Sequence, residues 1–261
     1  MEVISSKANK KIVETKKLLD KKYRDKTGYF LIETKKVIFE ALDAGLMLKT
    51  LFILKDKENL LNHLDFLKAL KKFNIKDSDI FYISQSVLKE ISSVVSSDGY
   101  VAVFEKPKYQ KKYVDGNFLI LDKLQNPDNM GAIMRTALAS GFTQIFVIDC
   151  VDEFSPKAIR ASMGNQFKLK IIHINYEDVK TIFKNINLFT ASMEGKNVFN
   201  LKKLDKNIGL VIGNEGNGVS LELKKQINNT ISIPMKNGVE SLNASISASI
   251  LMYYISQNQK N

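Results

Sequence analysis

Two consecutive strand-like segments late in the chain each run into a loop built from glycine or asparagine. The first, at residues 210–212, is followed by GNEGNGVS, in which three glycines flank Asn214 and Glu215. The second, at residues 231–233, ends at Pro234, which cannot donate to a sheet and so marks a strand end. Glycines at the carboxyl end of a strand let backbone amides approach a ligand closely. The two loops therefore predict one ligand pocket at one edge of a sheet.

A long helix is predicted directly after the second loop. Ser241 and Asn243 are residue types that accept hydrogen bonds from the free N–H groups of a first helical turn. The apolar segment that follows contains a run of Ala and Ser, and such small side chains let other backbone approach closely. We therefore expect this helix to be enclosed by its surroundings rather than laid on a surface.

A third segment places a polar loop between a strand and a helix. The apolar run at residues 118–121 leads to QNPDN, where Asp128 or Asn129 is expected to cap a helix starting near Gly131. Arg135 follows Gly131 by four residues, so both lie on one face of that helix. Of the 39 cationic residues only three are Arg, and the guanidinium group binds phosphate in two-pronged fashion. Arg135 is thus a candidate phosphate ligand, with a surface salt bridge as the alternative.

The order of these segments excludes several nucleotide-binding folds. A dinucleotide-binding domain has its glycine-rich loop after the first strand, whereas here the glycine loops come late. The same order argues against the common methyltransferase fold. The chain also lacks the G-x-x-x-x-G-K-[ST] pattern of a P-loop. Further strands at residues 144–148, 168–174 and 188–191 predict a mostly parallel sheet covered by helices. The last of these strands is followed by residues 192–195, which we expect to form a loop at the same edge as the pocket.

Together the three segments resemble the three motifs of the SpoU branch of the SPOUT RNA methyltransferases, over residues 115–254. The carrying stretches are NMGAIMRTA, GLVIGNEGNGVS and ISIPMKNGVESLNASISASILMYY. The resemblance implies a methyltransferase that acts on ribose 2′-hydroxyls of RNA, with a trefoil-knotted, mostly parallel-sheet domain. It also implies a homodimer, since in the family the motifs of two subunits meet.

The resemblance assigns substrate-side roles to four residues. The family's ribose-site residues correspond here to Asn129, Arg135, Ser241 and Asn243. Glu215 is a further candidate, expected to orient Arg135 or to cap a nearby loop, with a simple helix-end charge as the alternative interpretation. Arg rarely releases a proton and no His lies near a motif, so we assign Arg135 to phosphate binding and hydroxyl orientation, and the proton acceptor stays open. Ala244 stands where the family usually has Val, which we interpret as a packing change.

The resemblance also implies S-adenosylmethionine as the cofactor, held in the glycine-bearing loops. The predicted cofactor-binding residues are Gly213, Asn214, Gly218, Ile233, Met235 and Leu242. Backbone groups would pair with the adenine edge, and the apolar members of the set would form a wall beside it. Ordinary core packing is the alternative interpretation of those apolar residues.

The first hundred residues predict a separate α/β sandwich. Strands are expected at residues 29–33, 50–54, 80–83 and 100–104, and helices at 8–19, 35–44, 59–73 and after Ser84. In the first helix, the residues expected to face inward are Ile12, Val13, Leu18 and Leu19. Residues 28–42 and 96–104 resemble the L30e-like substrate-binding domain that precedes many SpoU catalytic domains, although Thr34 stands where that domain usually has Gly. We therefore predict domains at 1–106 and 115–261, joined by a charged linker at 107–114.

The charge balance favours a polyanionic partner. The net charge is +11, and residues 1–114 hold 23 Lys and Arg against 15 Asp and Glu, a net +8. Phosphate contacts by such residues set the affinity of many RNA-binding proteins. A solvated lysine surface is the alternative, because this chain favours Lys throughout. We expect RNA as the partner, with ribosomal RNA favoured over transfer RNA.

Several other classes are excluded by what the chain lacks. No apolar run approaches the roughly 20 residues that span a bilayer, and the first residues lack a signal peptide's apolar segment. The single Cys150 permits no internal disulfide, and His63 and His173 are too far apart in sequence to suggest a metal site. The sequence thus predicts a soluble cytoplasmic protein that needs no metal and no membrane.

Two rival functions remain open at this level. One is an RNA-binding protein that retains the fold without catalysis, which intact Asn129, Arg135, Ser241 and Asn243 argue against. The other is a small-molecule enzyme that uses the same pocket, which the basic first domain argues against.

Overall fold

The computed structural model of the protein describes residues 3–55, 60–94 and 97–259, with backbone alone for residues 60–63. The chain forms two compact units. One comprises Met1–Pro107 and Phe154–Arg160, and the other comprises Lys108–Glu153 and Ala161–Asn261. Across the described ranges, no helix combines the length and apolar character needed to cross a membrane. Nor do three His, Cys, Asp or Glu side chains within those ranges meet as metal ligands would.

The first unit contains a five-stranded mixed sheet. Its strands are β1 (Val3–Ile4), β2 (Tyr29–Ile32), β3 (Leu48–Leu54), β4 (Ile80–Ile83) and β5 (Tyr100–Glu105), and its helices are α1 (Lys10–Lys17), α2 (Lys21–Thr27), α3 (Lys35–Asp43), α4 (Leu60–Leu70) and α5 (Gln85–Ile91). The strand order is β1-β4-β3-β5-β2, and β5 runs antiparallel to both of its neighbours. The four predicted strands are present, while β1 and α2 were not predicted. The predicted start of α4 at Asn59 lies outside the described residues.

Local sequence explains where these helices begin and which face they bury. The Thr34 hydroxyl accepts a hydrogen bond from the Val37 amide at 3.4 Å, so the residue that replaces the family's usual Gly caps α3. Ile12 of α1 and Leu18, the residue that follows its last turn, are buried among the side chains of the sheet and α5. Val13 was expected to face inward but is 38% exposed, because a helix of eight residues buries only one narrow stripe.

A short segment from late in the sequence completes the first unit. The Phe154 ring lies 4.7 Å from that of Phe30, and Arg160 Nη1 lies 2.8 Å from the buried carboxylate of Glu33. Ile159 of the same segment is also buried. Sequence analysis placed these residues in the second domain, so the first unit is built from two separate stretches of chain.

The second unit contains a six-stranded, wholly parallel sheet. Its strands are β6 (Phe118–Asp122), β7 (Gln144–Ile148), β8 (Lys170–His173), β9 (Asn187–Asn197), β10 (Ile208–Ile212) and β11 (Asn229–Ser232). The helices in the same range of sequence are α6 (Pro127–Ala139), α7 (Pro156–Ser162), α8 (Tyr176–Ile182), α9 (Leu221–Lys224) and α10 (Ala244–Gln257). The strand order is β11-β9-β10-β6-β7-β8. The parallel sheet is therefore confirmed, and all six carboxyl ends meet at one edge.

Strand β9 differs most from its prediction. It continues through Ser192–Gly195, which was expected to be a loop, because it pairs with β11 on both sides of a register shift at Thr230 and Ile231. A Cβ on Gly195 would overlap the Ile231 backbone, so only glycine allows the two strands to approach this closely. Helix α8 was not predicted, although Asn175 and Asp178 form a capping box at its start.

Helix α10 packs on α6 and is fastened at its far end. Ser249 Oγ donates to Thr136 Oγ1 at 3.1 Å, between the two helices. Beyond α10, the Gln259 and Asn117 side-chain amides exchange hydrogen bonds of 2.8 and 3.0 Å. One face of α10 is buried, but Ile246 and Tyr253 are 50% and 47% exposed. The expectation that this helix is enclosed by its surroundings is therefore wrong for its other face.

Candidate active site

A cavity of about 380 Å³ opens at the carboxyl ends of β9, β10 and β11. Cavities of this size hold small-molecule ligands and cofactors. Eight of the predicted site residues line it: Gly213, Asn214, Glu215, Gly218, Ile233, Met235, Ser241 and Leu242. Three do not, namely Asn129, Arg135 and Asn243. The structure thus brings all six proposed cofactor-binding residues to one cavity, and their role in binding stays a prediction.

The glycine loop after β10 folds back tightly on itself. Asn214 and Gly218 exchange backbone hydrogen bonds of 3.0 and 2.9 Å, and Gly218 has a φ of +66°, in the left-handed region. A Cβ on Gly213 would overlap the Gly218 carbonyl carbon and the Val219 nitrogen. Gly213 is therefore required for loop closure, whereas sequence reasoning had explained it by close approach to a ligand.

The same loop is anchored to the segment that follows β6. The Asn214 side chain donates to the Lys123 carbonyl at 2.9 Å, and the Ser220 amide donates to the Asp122 carboxylate at 2.7 Å. Asp122 is completely buried and also accepts from the Tyr176 hydroxyl at 2.8 Å. These contacts fix the cavity floor through residues that lie far apart in sequence.

Helix α6 begins earlier than predicted, and Asn126 caps it. The Asn126 side chain accepts from the amides of Asp128 and Asn129 at 2.8 and 3.4 Å, and Pro127 occupies the first helical position. The caps predicted from sequence, Asp128 and Asn129, lie inside the first turn instead. This leaves the Asn129 side chain free to make contacts outside its own helix.

Asn129 of the first motif forms side-chain hydrogen bonds with Glu215 of the second and with Asn243 of the third. Asn129 Nδ2 donates to Glu215 Oε1 at 3.0 Å, and Asn129 Oδ1 accepts from Asn243 Nδ2 at 3.0 Å. The Glu215 carboxylate also accepts the amides of Gln125 and Asn126 at 3.2 and 3.0 Å. We call Glu215, Asn129 and Asn243 the amide network. Of the two roles expected for Glu215, the structure shows the loop contact, and Arg135 is not among its hydrogen-bond partners in the described residues.

Burial and hydrogen bonding act in opposite directions on Glu215. Partial burial by itself raises the pKa of its carboxyl, but the hydrogen bonds from Asn129, Gln125 and Asn126 outweigh it, and the net pKa lies below the ordinary 4.5. The charged form is therefore the one that the folded state favours. Stability from this group is present above its unfolded pKa and is lost as the pH falls through the lowered folded pKa.

We expect Glu215→Gln to lower the melting temperature at neutral pH by about 2–4 °C, as loss of a charged hydrogen-bond acceptor does in a unit of this size. An amide cannot accept from three donors on one side without turning its own NH₂ towards one of them. The difference from the parent protein should shrink as the pH falls below 4.5 and disappear only below the lowered folded pKa, where the carboxyl is protonated in both the folded and the unfolded state. Melting curves between pH 3 and 8 measure this, with the exposed Glu222→Gln as control. An equal difference at every pH contradicts the linkage.

Arg135 lies apart from the amide network of its own chain. Its side chain is exposed, and Nη1 contacts the Met163 sulfur at 3.2 Å. In the described part of the chain it forms no ion pair, so the surface salt bridge considered from the sequence is not observed. Apart from the contact of Nη1 with Met163, the guanidinium group thus keeps its hydrogen-bond donors available for a ligand.

The third motif contributes both to the cavity and to α10. Ser241 and Leu242 line the cavity, while the Asn243 side chain accepts from the Ser245 amide at 2.9 Å and so caps α10. Ala244, the departure from the family's usual Val, also lines the cavity, so the smaller side chain leaves more room there.

Sequence reasoning missed part of the cavity wall. The missed lining residues include Ala191, Ser192, Met193 and Glu194 of β9, together with Lys224, Ser247 and Leu251. The position of Ser192–Gly195 at the pocket's edge was anticipated, but no residue of it was assigned to the site. Their spacing carries no local signal, because pairing with β11 brings the β9 residues to the site and the other three come from α9 and α10.

Comparison with known proteins supports the same family over both parts of the chain. The sequence profile of the SpoU rRNA Methylase family matches residues 116–253, and that of an MRM3-like substrate binding domain matches residues 9–102. A relative from Bacillus subtilis, the 23S rRNA (guanosine(2553)-2'-O)-methyltransferase RlmP, is 26% identical over 98% of this chain and 99% of its own.

Two solved structures with similar folds cover nearly the whole chain. One is a putative RNA methyltransferase of the TrmH family from Porphyromonas gingivalis, at 27% identity and a TM-score of 0.83, covering 95% of this chain and 97% of that one. The other is the SpoU methyltransferase AviRb from Streptomyces viridochromogenes in complex with AdoMet, at 25% identity, a TM-score of 0.81 and the same coverage. With the profile matching more than half of its residues, this chain belongs to the SpoU rRNA methylase family.

Proposed function

We propose that this protein transfers a methyl group from S-adenosylmethionine to a ribose 2′-hydroxyl of ribosomal RNA. The observation that carries the proposal is the amide network, which joins Asn129, Glu215 and Asn243 beside a cavity of cofactor size. The relatives named for 2′-O methylation of rRNA and for AdoMet binding support it. S-adenosylmethionine supplies an electrophilic methyl group bonded to a positively charged sulfur.

The residues that line the cavity fit such a cofactor. The backbone of Gly213, Asn214 and Gly218 forms a closed loop at one side, with amide and carbonyl groups suited to an adenine edge. Ile233, Met235 and Leu242 form an apolar wall that suits the flat face of the base. We assign these six residues to cofactor binding.

The substrate roles follow from position and hydrogen-bonding capacity. Ser241 borders the cavity and Asn243 lies at the start of α10, so both can orient a ribose at its mouth. Asn129, which is itself held by Glu215, holds Asn243 in place. Arg135 binds a substrate phosphate and aligns the hydroxyl, because its planar fork offers two fixed donors.

A homodimer is part of the proposal, with Arg135 reaching the site of the partner subunit. Arg135 has no contact with the amide network of its own chain in the described residues. Ile246 and Tyr253, seven residues apart on one face of α10, expose apolar surface that a second copy could cover. A trefoil knot in the second unit belongs to the same proposal, and the ties of residues 258–259 to Leu204 and Asn117 support a fixed position for the chain's last helix.

In this proposal the protein acts in the cytoplasm, and ribosomal RNA is its preferred substrate. The net +8 of residues 1–114 supplies phosphate contacts, and the profile match of residues 9–102 is to a substrate-binding domain.

We expect the purified protein to transfer labelled methyl groups from S-adenosylmethionine to a ribosomal RNA transcript, at one nucleotide that then resists alkaline cleavage on its 3′ side. Transfer should fall steeply with salt, because phosphate contacts release counterions. Transfer to tRNA transcripts alone would redirect the substrate assignment. A folded protein that binds RNA and methylates neither would support the inactive RNA-binding alternative.

A further inference from the structure

Only three charged side chains line the cavity, if the described residues alone are considered: Glu194, Glu215 and Lys224. The remaining lining residues are small, apolar or neutral polar. Charged groups in a cavity that excludes part of the solvent have a stronger influence on a charged ligand than they would in water. These three side chains therefore determine which charge the cavity accepts.

The carboxylate of Glu215 is already occupied by hydrogen bonds within the protein. It accepts hydrogen bonds from the Asn129 side chain and from two backbone amides. Glu194 and Lys224 are exposed, and within the described ranges neither forms an ion pair. They are the two lining charges still available to a ligand.

Both residues are carried on well-fixed backbone. Glu194 precedes Gly195, whose carbonyl accepts from Ser232 Oγ at 2.8 Å and whose Cα packs directly against Ile231. The Lys224 amide donates to the Ser220 carbonyl at 3.0 Å, and Ser220 is in turn held by Asp122. Their side chains therefore start from defined backbone positions at the cavity.

The charges of the cofactor complement this set. S-adenosylmethionine carries a carboxylate, an ammonium group and a sulfonium, a net charge of about +1 at neutral pH, since an α-amino acid keeps both ends ionised there. Two glutamates and one lysine give the lining a net negative charge. Once the methyl group has left, the sulfur is neutral and the product, S-adenosylhomocysteine, has no net charge.

We propose that Lys224 binds the carboxylate of the cofactor's amino-acid end and that Glu194 favours the positively charged cofactor over its neutral product. This inference rests on the proposed function. It assigns two residues to cofactor recognition that the family motifs do not include, and it gives the site a means to release product after each transfer.

Calorimetric titration with three ligands tests the proposal: S-adenosylmethionine, S-adenosylhomocysteine and 5′-methylthioadenosine, which lacks the amino-acid end. Lys224→Met should weaken the binding of S-adenosylmethionine and of S-adenosylhomocysteine by about tenfold, the typical contribution of a charge-assisted hydrogen bond. The affinity for 5′-methylthioadenosine should stay unchanged. Lys225→Met is the matched control, because Lys225 is the next residue, is exposed and does not line the cavity.

Glu194→Gln should weaken the binding of S-adenosylmethionine by about threefold more than the binding of S-adenosylhomocysteine, as expected for one partly solvated charge. Exposed Glu222→Gln serves as control. Three results would each overturn the inference while the proposed function stands. They are equal effects of Lys224→Met and Lys225→Met, equal weakening of the binding of all three ligands by Lys224→Met, and an unchanged ratio of S-adenosylmethionine to S-adenosylhomocysteine affinity in Glu194→Gln. If the parent protein binds none of the three ligands, the proposed function fails as well.

Discussion

Arg135→Lys is expected to lose methyl transfer by about 100-fold or more while keeping its fold and its cofactor affinity. Lys retains the positive charge but replaces two fixed donors with one mobile ammonium group. A substrate hydroxyl displaced by about 1 Å accounts for a loss of this size. The guanidinium makes no ion pair within the described part of the chain, so the substitution removes no salt bridge there. Single-turnover transfer to RNA measures the rate, and thermal melting measures stability.

Met163→Leu is the matched control for this experiment. It removes the sulfur that Arg135 contacts at 3.2 Å but keeps an apolar side chain of similar volume. If the control loses as much activity as Arg135→Lys, that contact rather than the fork positions the substrate. Near-normal turnover by a well-folded Lys variant would demote Arg135 to a structural residue and move the catalytic role to Ser241 and Asn243.

Mixed dimers test whether Arg135 acts across the subunit interface. Arg135→Lys and Asn243→Ser are each expected to be inactive, and Ser still provides a cap oxygen for α10. If each site takes Arg135 from one subunit and Asn243 from the other, a dimer with one copy of each variant contains one intact site. Mixing should then restore part of the activity. No recovery in a confirmed mixed dimer places both residues in the same subunit's site.

Gly213→Val is expected to abolish detectable S-adenosylmethionine binding and to lower the melting temperature as well. Its side chain would overlap the backbone of Gly218 and Val219, so the glycine loop cannot close as it does in the parent protein. Opening the loop also breaks the paired hydrogen bonds between Asn214 and Gly218. Overpacking of this kind typically destabilises a protein by about 1–3 kcal/mol. Calorimetric titration and thermal melting together measure both effects.

Gly216→Ala separates loop closure from a general intolerance to side chains in this loop. A Cβ at Gly216 would meet only the Asn214 side-chain oxygen, at 3.7 Å, and its φ is not in the left-handed region. This variant should bind cofactor within about twofold of the parent protein, since surface changes of this kind shift free energies by no more than about 0.5 kcal/mol. Normal binding by Gly213→Val would refute the assigned pocket.

The strands of the parallel sheet could be predicted because their signal is local. Strand β7 was placed at its observed bounds, since the apolar, β-branched and aromatic run at residues 145–148 is typical of a buried strand. The cap of α6 was misplaced for a reason that is also local. Pro127 at the first helical position indicates a cap one residue before it, at Asn126, and that signal was not used.

The arrangement of the site depends on contacts that no local pattern encodes. Asn129 and Glu215 are 86 residues apart, and Asn129 and Asn243 are 114 apart, yet each pair shares a hydrogen bond. Glu194 reaches the cavity because β9 extends beyond its apolar part to pair with β11, and Lys224 reaches it from the end of α9. Motif resemblance identified the residues that chemistry requires, whereas the remaining wall follows from the packing of several elements around the cavity.

The segment Phe154–Arg160 bears on how genes for such proteins could recombine. A single crossover near residue 107 would separate the first unit from Phe154 and Ile159, whose side chains are buried within it, and from the partner of the buried Glu33 carboxylate. A new first unit would therefore have to accept the old segment or arrive with its own through a second crossover. Exchange of substrate-binding modules in this architecture is consequently coupled to a stretch of sequence between β7 and β8, and lineages should inherit the two together.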